Sequence, residues 1–195
     1  MFYYLETIAI VFSILYVFLA AKQVIWCWLA AMISVIIYIY ICYHSKLYME
    51  TGLQVFYFFM SIYGFWNWSA NKNRQTPNMS LKKVIAISEW SIHKHLITIL
   101  AGTVAAFFLG FIFSTYTDAE MPIIDSFTTV FSIFATFMVA KKILGNWLYW
   151  IVIDIASVYL YDSRDLKQTA FLFIVYTAFA IYGYFSWIKK MEAYD

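Results

Sequence analysis

Residues 62–68 read IYGFWNW, and residues 181–187 read IYGYFSW. Ile, Tyr, Gly and the closing Trp recur in the same order, 119 residues apart. Carrying that offset outward aligns residues 11–68 with 130–187 without a gap, and 18 of the 58 positions are identical. That is several times what this composition gives by chance. VFSI at 11–14 meets VFSI at 130–133, Ala21-Lys22 meets Ala140-Lys141, Trp28-Leu29 meets Trp147-Leu148, and Tyr57 meets Tyr176. The two heptapeptides are therefore the ends of a duplicated unit.

The solvent of that unit follows from composition. The chain is 64% hydrophobic and 12% charged, with a mean hydropathy of +0.74. Soluble domains carry about 25% charged residues, so half that fraction cannot cover a water-facing surface. The first apolar run is too long to be only a removable signal, and equivalent runs recur to the end of the sequence. At about 20 apolar residues per crossing, spans are predicted near 3–21, 24–43, 49–69, 95–116, 122–140, 144–161 and 167–188. The class is an all-α integral membrane protein with seven transmembrane helices, and 195 residues leave no room for a soluble domain.

Three helices cross a membrane an odd number of times. The second copy can point the same way as the first only if one further span separates them, and the fourth run supplies it. The predicted architecture is thus 3+1+3 with parallel repeats. Residues 1–69 form the first repeat, 70–121 a cytoplasmic basic loop with linker helix four, and 122–195 the second repeat. With the N-terminus outside, ten Lys and Arg fall inside and three outside, so the positive-inside rule gives an external N-terminus and a cytoplasmic C-terminus. Parallel repeats are a transporter plan, with the substrate near mid-bilayer at their interface. A duplicated structural bundle is the bland alternative.

The differences between the copies indicate where chemistry sits. Asp154 lies within the sixth span, where a carboxylate costs about 2.5–3.5 kcal/mol on insertion scales and marks a bundle interior or a water-filled path. Helical spacing puts Trp147, Trp150 and Tyr161 on its face. The aligned positions of the first copy hold Ala31 for Trp150 and Val35 for Asp154. Gln54, Tyr57 and Ser61 share a face of the third span with Asn67 beside it, and Tyr176 and Tyr184 mark the matching stripe of the seventh. Gln54 is unique to its copy, since its counterpart is Phe173. Trp68, Trp187 and Trp147 read as an interfacial aromatic belt. A carboxylate with aromatic faces favours a flat cation, and an amide that donates and accepts suits an amide- or hydroxyl-bearing ligand.

LQVFYFFMSIYGFWNW in the third span, with the Trp147, Trp150, Asp154 pattern of the sixth, resembles the Pnu-type vitamin transporters over essentially the whole chain. The resemblance implies the 3+1+3 arrangement shared with SWEET-type transporters and import of nicotinamide riboside. It also implies a ring held between Trp147 and Trp150, with Gln54 and residue 154 assisting. Facilitated diffusion, a homo-oligomer and trapping by a cytosolic kinase follow from the same resemblance. Family members that carry nicotinamide riboside typically have Asn where this chain has Asp154. Thiamine, also flat and cationic, is the alternative within the family.

Other classes fit less well. The sequence has no phosphate-binding loop of the G-x-x-x-x-G-K-[ST] form, and no Lys in the middle of the last span for a retinal Schiff base. It has no Pro within the repeat spans for a sugar-transporter hinge. His44, His93 and His95 read as solvated interfacial residues without further metal ligands, which speaks against a membrane-embedded enzyme. Cys27 and Cys42 sit at opposite ends of one helix and cannot pair. A channel would need a ring of selectivity groups. The basic loop follows from topology, with no nucleic-acid partner, and neither cofactor nor metal is implied.

Overall fold

The computed structural model describes residues 2–44, 48–72, 87–117, 121–165 and 167–193. The basic segment 73–86, and with it Arg74, Lys82 and Lys83, lies outside these, as do Lys46, Asp118 and Glu120. Seven α-helices run through the described residues: α1 Phe2–Ala21, α2 Cys27–His44, α3 Tyr48–Lys72, α4 Ile92–Tyr116, α5 Pro122–Ala140, α6 Asn146–Ser163 and α7 Lys167–Glu192. The shortest have 18 residues, about 27 Å at 1.5 Å per residue, enough for the hydrocarbon core with flanking side chains. By length and composition alone, α1, α2, α4, α5 and α7 can cross a membrane. The two that fall short, α3 and α6, are those carrying the polar candidates Gln54, Ser61 and Asn67, and Asp154.

The duplication is visible in the packing. Helices α1, α2 and α3 pack in sequence, as do α5, α6 and α7, and the two sets meet through α1 against α7 and α3 against α5. Those two contacts exchange when one repeat is mapped onto the other, as a two-fold axis along the membrane normal requires. The linker helix α4 packs on α5. The chain is an all-α, seven-helix membrane fold of the 3+1+3 kind.

Three predicted starts need correction: α4 begins at Ile92, earlier than 95, and two helices begin late. Helix α2 begins at Cys27, later than 24, and α6 at Asn146, later than 144, because a defined turn occupies the residues before each. Gln23 N–H donates to the Ala20 carbonyl at 2.9 Å and Val24 N–H to Leu19 at 2.9 Å. At the equivalent places Lys142 N–H donates to Val139 at 3.0 Å and Ile143 N–H to Met138 at 2.9 Å. Both pairs form the helix-ending motif that needs a left-handed residue after the cap. Gln23 with φ 60° and Lys142 with φ 53° supply it, where Gly is the usual residue.

One brace breaks the symmetry. Ser88 pairs with Ile143 in a parallel bridge, its N–H donating to Lys142 O at 3.0 Å and its carbonyl accepting from Leu144 N–H at 2.9 Å. The segment entering α4 thus clamps the α5–α6 turn. At the other end of the bundle, Arg164 pairs with Asp125 at 2.7 Å, tying the end of α6 to the start of α5. Both side chains are partly exposed, so this pair contributes at most about 1 kcal/mol.

Candidate functional site

The buried face of α6 carries Trp147, Asp154 and Ser157. Asp154 is only 3% exposed, and no described Lys or Arg lies within ion-pairing distance of it. The phenols of Tyr57 on α3 and Tyr176 on α7 lie within electrostatic reach of its carboxyl. They are repeat equivalents, and each faces a repeat-equivalent serine: Tyr57 faces Ser132 on α5, and Tyr176 faces Ser13 on α1. Ser13 Oγ lies 2.6 Å from Ser34 Oγ, whose hydroxyl donates to the Ala9 carbonyl at 2.9 Å. Two tyrosine–serine pairs therefore flank the axis symmetrically. Asp154 breaks that symmetry, since Val35 stands buried at its place in the other repeat. A buried carboxylate without a countercharge is costly unless a cation joins it.

Below this polar tier, towards the lysine-rich end, lies a tier of tryptophans. Trp28, Trp68, Trp147 and Trp187 are each no more than 2% exposed. Trp28 meets Trp68 edge-on at 5.5 Å, Trp147 meets Trp187 edge-on at 5.4 Å, and Trp68 faces Trp187 across the axis at 6.5 Å. Trp68 Nε1–H donates to the Ala140 carbonyl and Trp187 Nε1–H to that of Ala20, each at 3.1 Å. Beside them Asn67 Nδ2 donates to Ala140 O at 2.8 Å, and its equivalent Ser186 donates to Ala21 O at 3.0 Å. The indole N–H groups of Trp28 and Trp147 are buried without an acceptor. Reading Trp68, Trp187 and Trp147 as an interfacial belt is thus incorrect: all three rings pack inside the bundle, and the N–H groups of Trp68 and Trp187 bond backbone carbonyls there. Trp26 and Trp66, at 58% and 65% exposure, are the outward-facing indoles.

The candidates from the sequence separate accordingly. Asp154, Tyr57 and Tyr176 come together. Trp150 is half-buried between the tryptophan tier and a second cluster of Phe131, Ala135 and Ile153. Tyr161 stacks on Phe173 at 5.2 Å towards the other end. Gln54 is half-buried, about 4.5 Å along α3 from Tyr57. Trp147 and Tyr184 belong to the tryptophan tier. Ser61 donates to the Tyr57 carbonyl of its own helix at 2.8 Å, and the Asn67 amide donates to Ala140 O at the lysine-rich end, so neither of these bonds serves the Asp154 tier. Ser13 and Ser132, beside the two phenols, were not among the sequence candidates, although both sit in the repeated VFSI that shows the duplication.

Two basic residues are withdrawn from water, one of them His95, read from sequence as solvated. Lys142 is 4% exposed, and burial pushes its ammonium down to about 8, with the charge of Lys190 adding in the same direction. His95 is half-buried against Trp90 and Gly145, with Nδ1 3.2 Å from the Tyr149 hydroxyl. His93 is exposed. Among the described residues, no group of three or more His, Cys, Asp or Glu could hold a metal ion.

The family described as nicotinamide mononucleotide transporter matches residues 3–189. The nicotinamide riboside transporter PnuC of Escherichia coli is 24% identical, over 96% of this chain and 86% of its own length. The riboflavin/roseoflavin transporter RibM of Streptomyces davaonensis is 23% identical, over 87% of this chain and 77% of its own. A crystal structure of the vitamin B3 transporter PnuC superposes with a TM-score of 0.75, covering 98% of this chain and 83% of that one at 23% identity.

Proposed function

The chain belongs to the nicotinamide mononucleotide transporter family, and on that premise we propose that it imports a flat, cationic vitamin, nicotinamide riboside, by facilitated diffusion. It is a multi-pass membrane transporter and not an enzyme. The observation that carries the substrate class is Asp154: a buried carboxyl with no basic partner among the described residues, flanked by two phenols and bordered by Trp150. A cation supplies the missing charge, and an aromatic ring adds about 0.5–2 kcal/mol of cation–π attraction when desolvated. Gln54, Ser13 and Ser132 add polar groups near the two phenols, and Tyr161 one further towards the other end of α6, suited to ribose hydroxyls and a carboxamide.

The riboflavin-carrying relative supports a second reading within the family. Riboflavin is flat but uncharged and would leave the carboxyl unbalanced, so Asp154 favours the cationic vitamin. Thiamine shares the charge, but none of the relatives described above is named for it. The division at residues 69 and 121 into two repeats around α4, assembly as a homo-oligomer, and trapping by a cytosolic kinase belong to the same proposal.

Uptake of labelled nicotinamide riboside into liposomes containing only the purified protein tests it. Flux is expected to saturate with substrate, to need neither ATP nor an imposed ion gradient, and to deliver the vitamin unmodified. Flux that appears only with a gradient, or a chemically altered product, contradicts the reading.

The proposed setting is the bacterial inner membrane with the N-terminus outside. Single cysteines at Glu89 and Thr117, both exposed, check it against a background in which Cys27 and Cys42 are buried. In intact cells an impermeant thiol reagent is expected to label Thr117→Cys and spare Glu89→Cys. The reverse pattern inverts the topology.

A further inference from the structure

The lysine-rich end of the bundle is closed by two turns that correspond to each other in the repeat. Their left-handed residues, Gln23 and Lys142, are 119 positions apart and touch: Lys142 Nζ donates to Gln23 Oε1 at 3.2 Å. Equivalent residues of two repeats can meet only on the axis that relates them. The same axis is where a path from the Asp154 tier to this end must run. Asp154 lies about 12 Å along α6 from its first turn, with the tryptophan tier between.

Several features set this contact apart from ordinary packing. Each turn places a side chain where glycine would relax the backbone, and strain of this kind collects at switching elements. Lys142 is buried with its ammonium 4.2 Å from the centre of the Trp68 ring, and no described carboxylate pairs with it. Gln23 Nε2 is buried without a partner. The link is thus one neutral-acceptor hydrogen bond and one ring contact, and releasing the ammonium to water offsets much of their loss. By contrast, the bonds from Trp68 and Asn67 to Ala140 join α3 to α5, and those from Trp187 and Ser186 join α7 to α1, beside the axis.

The two halves are unequally held. The α5–α6 turn is clamped by Ser88 and abutted by His95. The α1–α2 turn has no such bridge among the described residues: its Lys22 carbonyl accepts from the flexible side chain of Lys190 at 2.6 Å, not from a backbone strand, and its Lys22 and Trp26 are exposed.

We propose that Gln23 and Lys142 form the latch of the gate at the lysine-rich end, with the α1–α2 turn as its moving half. Cargo leaves the Asp154 tier through this end when the latch parts and the two turns separate. The inference rests on the transporter reading, though its test needs no cargo.

Cys27 is a native reporter: it opens α2 directly after the moving turn, is fully buried, and lies within electrostatic reach of Lys142. The measurement is the rate at which N-ethylmaleimide alkylates Cys27 in the purified full-length protein carrying Cys42→Ala. If the latch holds the gate shut, Lys142→Met and Gln23→Ala each speed alkylation by about tenfold or more, as for a site reached only by local opening. The double variant is then no faster than the faster single one, since both remove the same contact. Loss of the ammonium alone disfavours the thiolate and slows the reaction, so acceleration reports opening. Gln23→Lys combined with Lys142→Gln exchanges the partners across the axis, sets the new ammonium towards Trp187, and is expected to restore the parent rate. Gln23 is only half-buried, so its variant carries the test if Lys142→Met does not fold. Unchanged rates in the single variants that fold, additive acceleration in the double, or an exchanged pair no slower than the singles would each overturn the latch. Failure of nicotinamide riboside uptake, with these rates as expected, would overturn only the cargo.

Discussion

Asp154→Ala is expected to weaken nicotinamide riboside binding by about 1.5–3 kcal/mol, the range for a hydrogen bond to a charged group, or about ten- to a hundred-fold in Kd. The same substitution is expected to leave the ligand-free protein as stable as before or more so. The buried carboxyl has no ion-pair partner among the described residues, and removing an uncompensated group from an apolar interior relieves its desolvation cost. Opposite signs for affinity and stability are the mark of a residue kept for its ligand. Calorimetric binding and thermal melting on one preparation read both. A fall in melting temperature with unchanged Kd would make Asp154 structural and remove the central support for a cationic cargo. Asp154→Asn separates charge from shape. It keeps a polar group of the same size and matches the residue typical of nicotinamide riboside carriers, so it should spare that ligand more than thiamine. Equal losses for both would mean that position 154 supplies charge without selecting the ligand.

The second large effect concerns the tryptophan tier. A Cβ at Gly64 would lie 2.4 Å from ring atoms of Trp28, and one at Gly183 would lie 2.7 Å from ring atoms of Trp147. Both rings are buried on all sides, so neither can swing away, and the helices themselves must part. Gly64→Ala and Gly183→Ala are each expected to cost about 1–3 kcal/mol through overpacking. That outweighs the gain of about 1 kcal/mol that alanine ordinarily brings to a helix interior. Gly52 on the same α3 is the control: nothing lies within 4 Å of its added Cβ, so Gly52→Ala should melt at or above the parent temperature. If Gly64→Ala also gained stability, the close seating of Trp28 on α3 would be wrong.

The duplication, the seven helices and the singular position of Asp154 could be read without coordinates. A fixed offset, runs of about 20 apolar residues and a lone charge within one of them are properties of a line of residues. The turn before α6 already marks the limit. Apolar periodicity runs on through Ile143 and Leu144, and only the left-handed backbone at Lys142 moves the helix start to Asn146. The same limit explains the tryptophans. In a soluble protein a buried indole differs from an exposed one by the polarity of its neighbours in sequence. In a bilayer the lipid is as apolar as the core, so Trp66, facing outward, and Trp68, sealed inside, have the same sequence surroundings. Lys142 shows the converse. A lysine beside a lysine after a long apolar run reads as a solvated helix end, and Lys141 is one. Which of the two turns inward is decided by the meeting of the repeats on their axis, where Gln23, 119 residues away, accepts its hydrogen bond and the Trp68 ring lies beside it. The bond made by Asn67 was illegible for the same reason, since its acceptor, Ala140 O, is a backbone atom 73 residues away. Sequence determined the elements and the odd charge among them because both are local; pairing across the axis needed the tertiary structure, because no one-dimensional pattern distinguishes lipid from a second copy of the same helix.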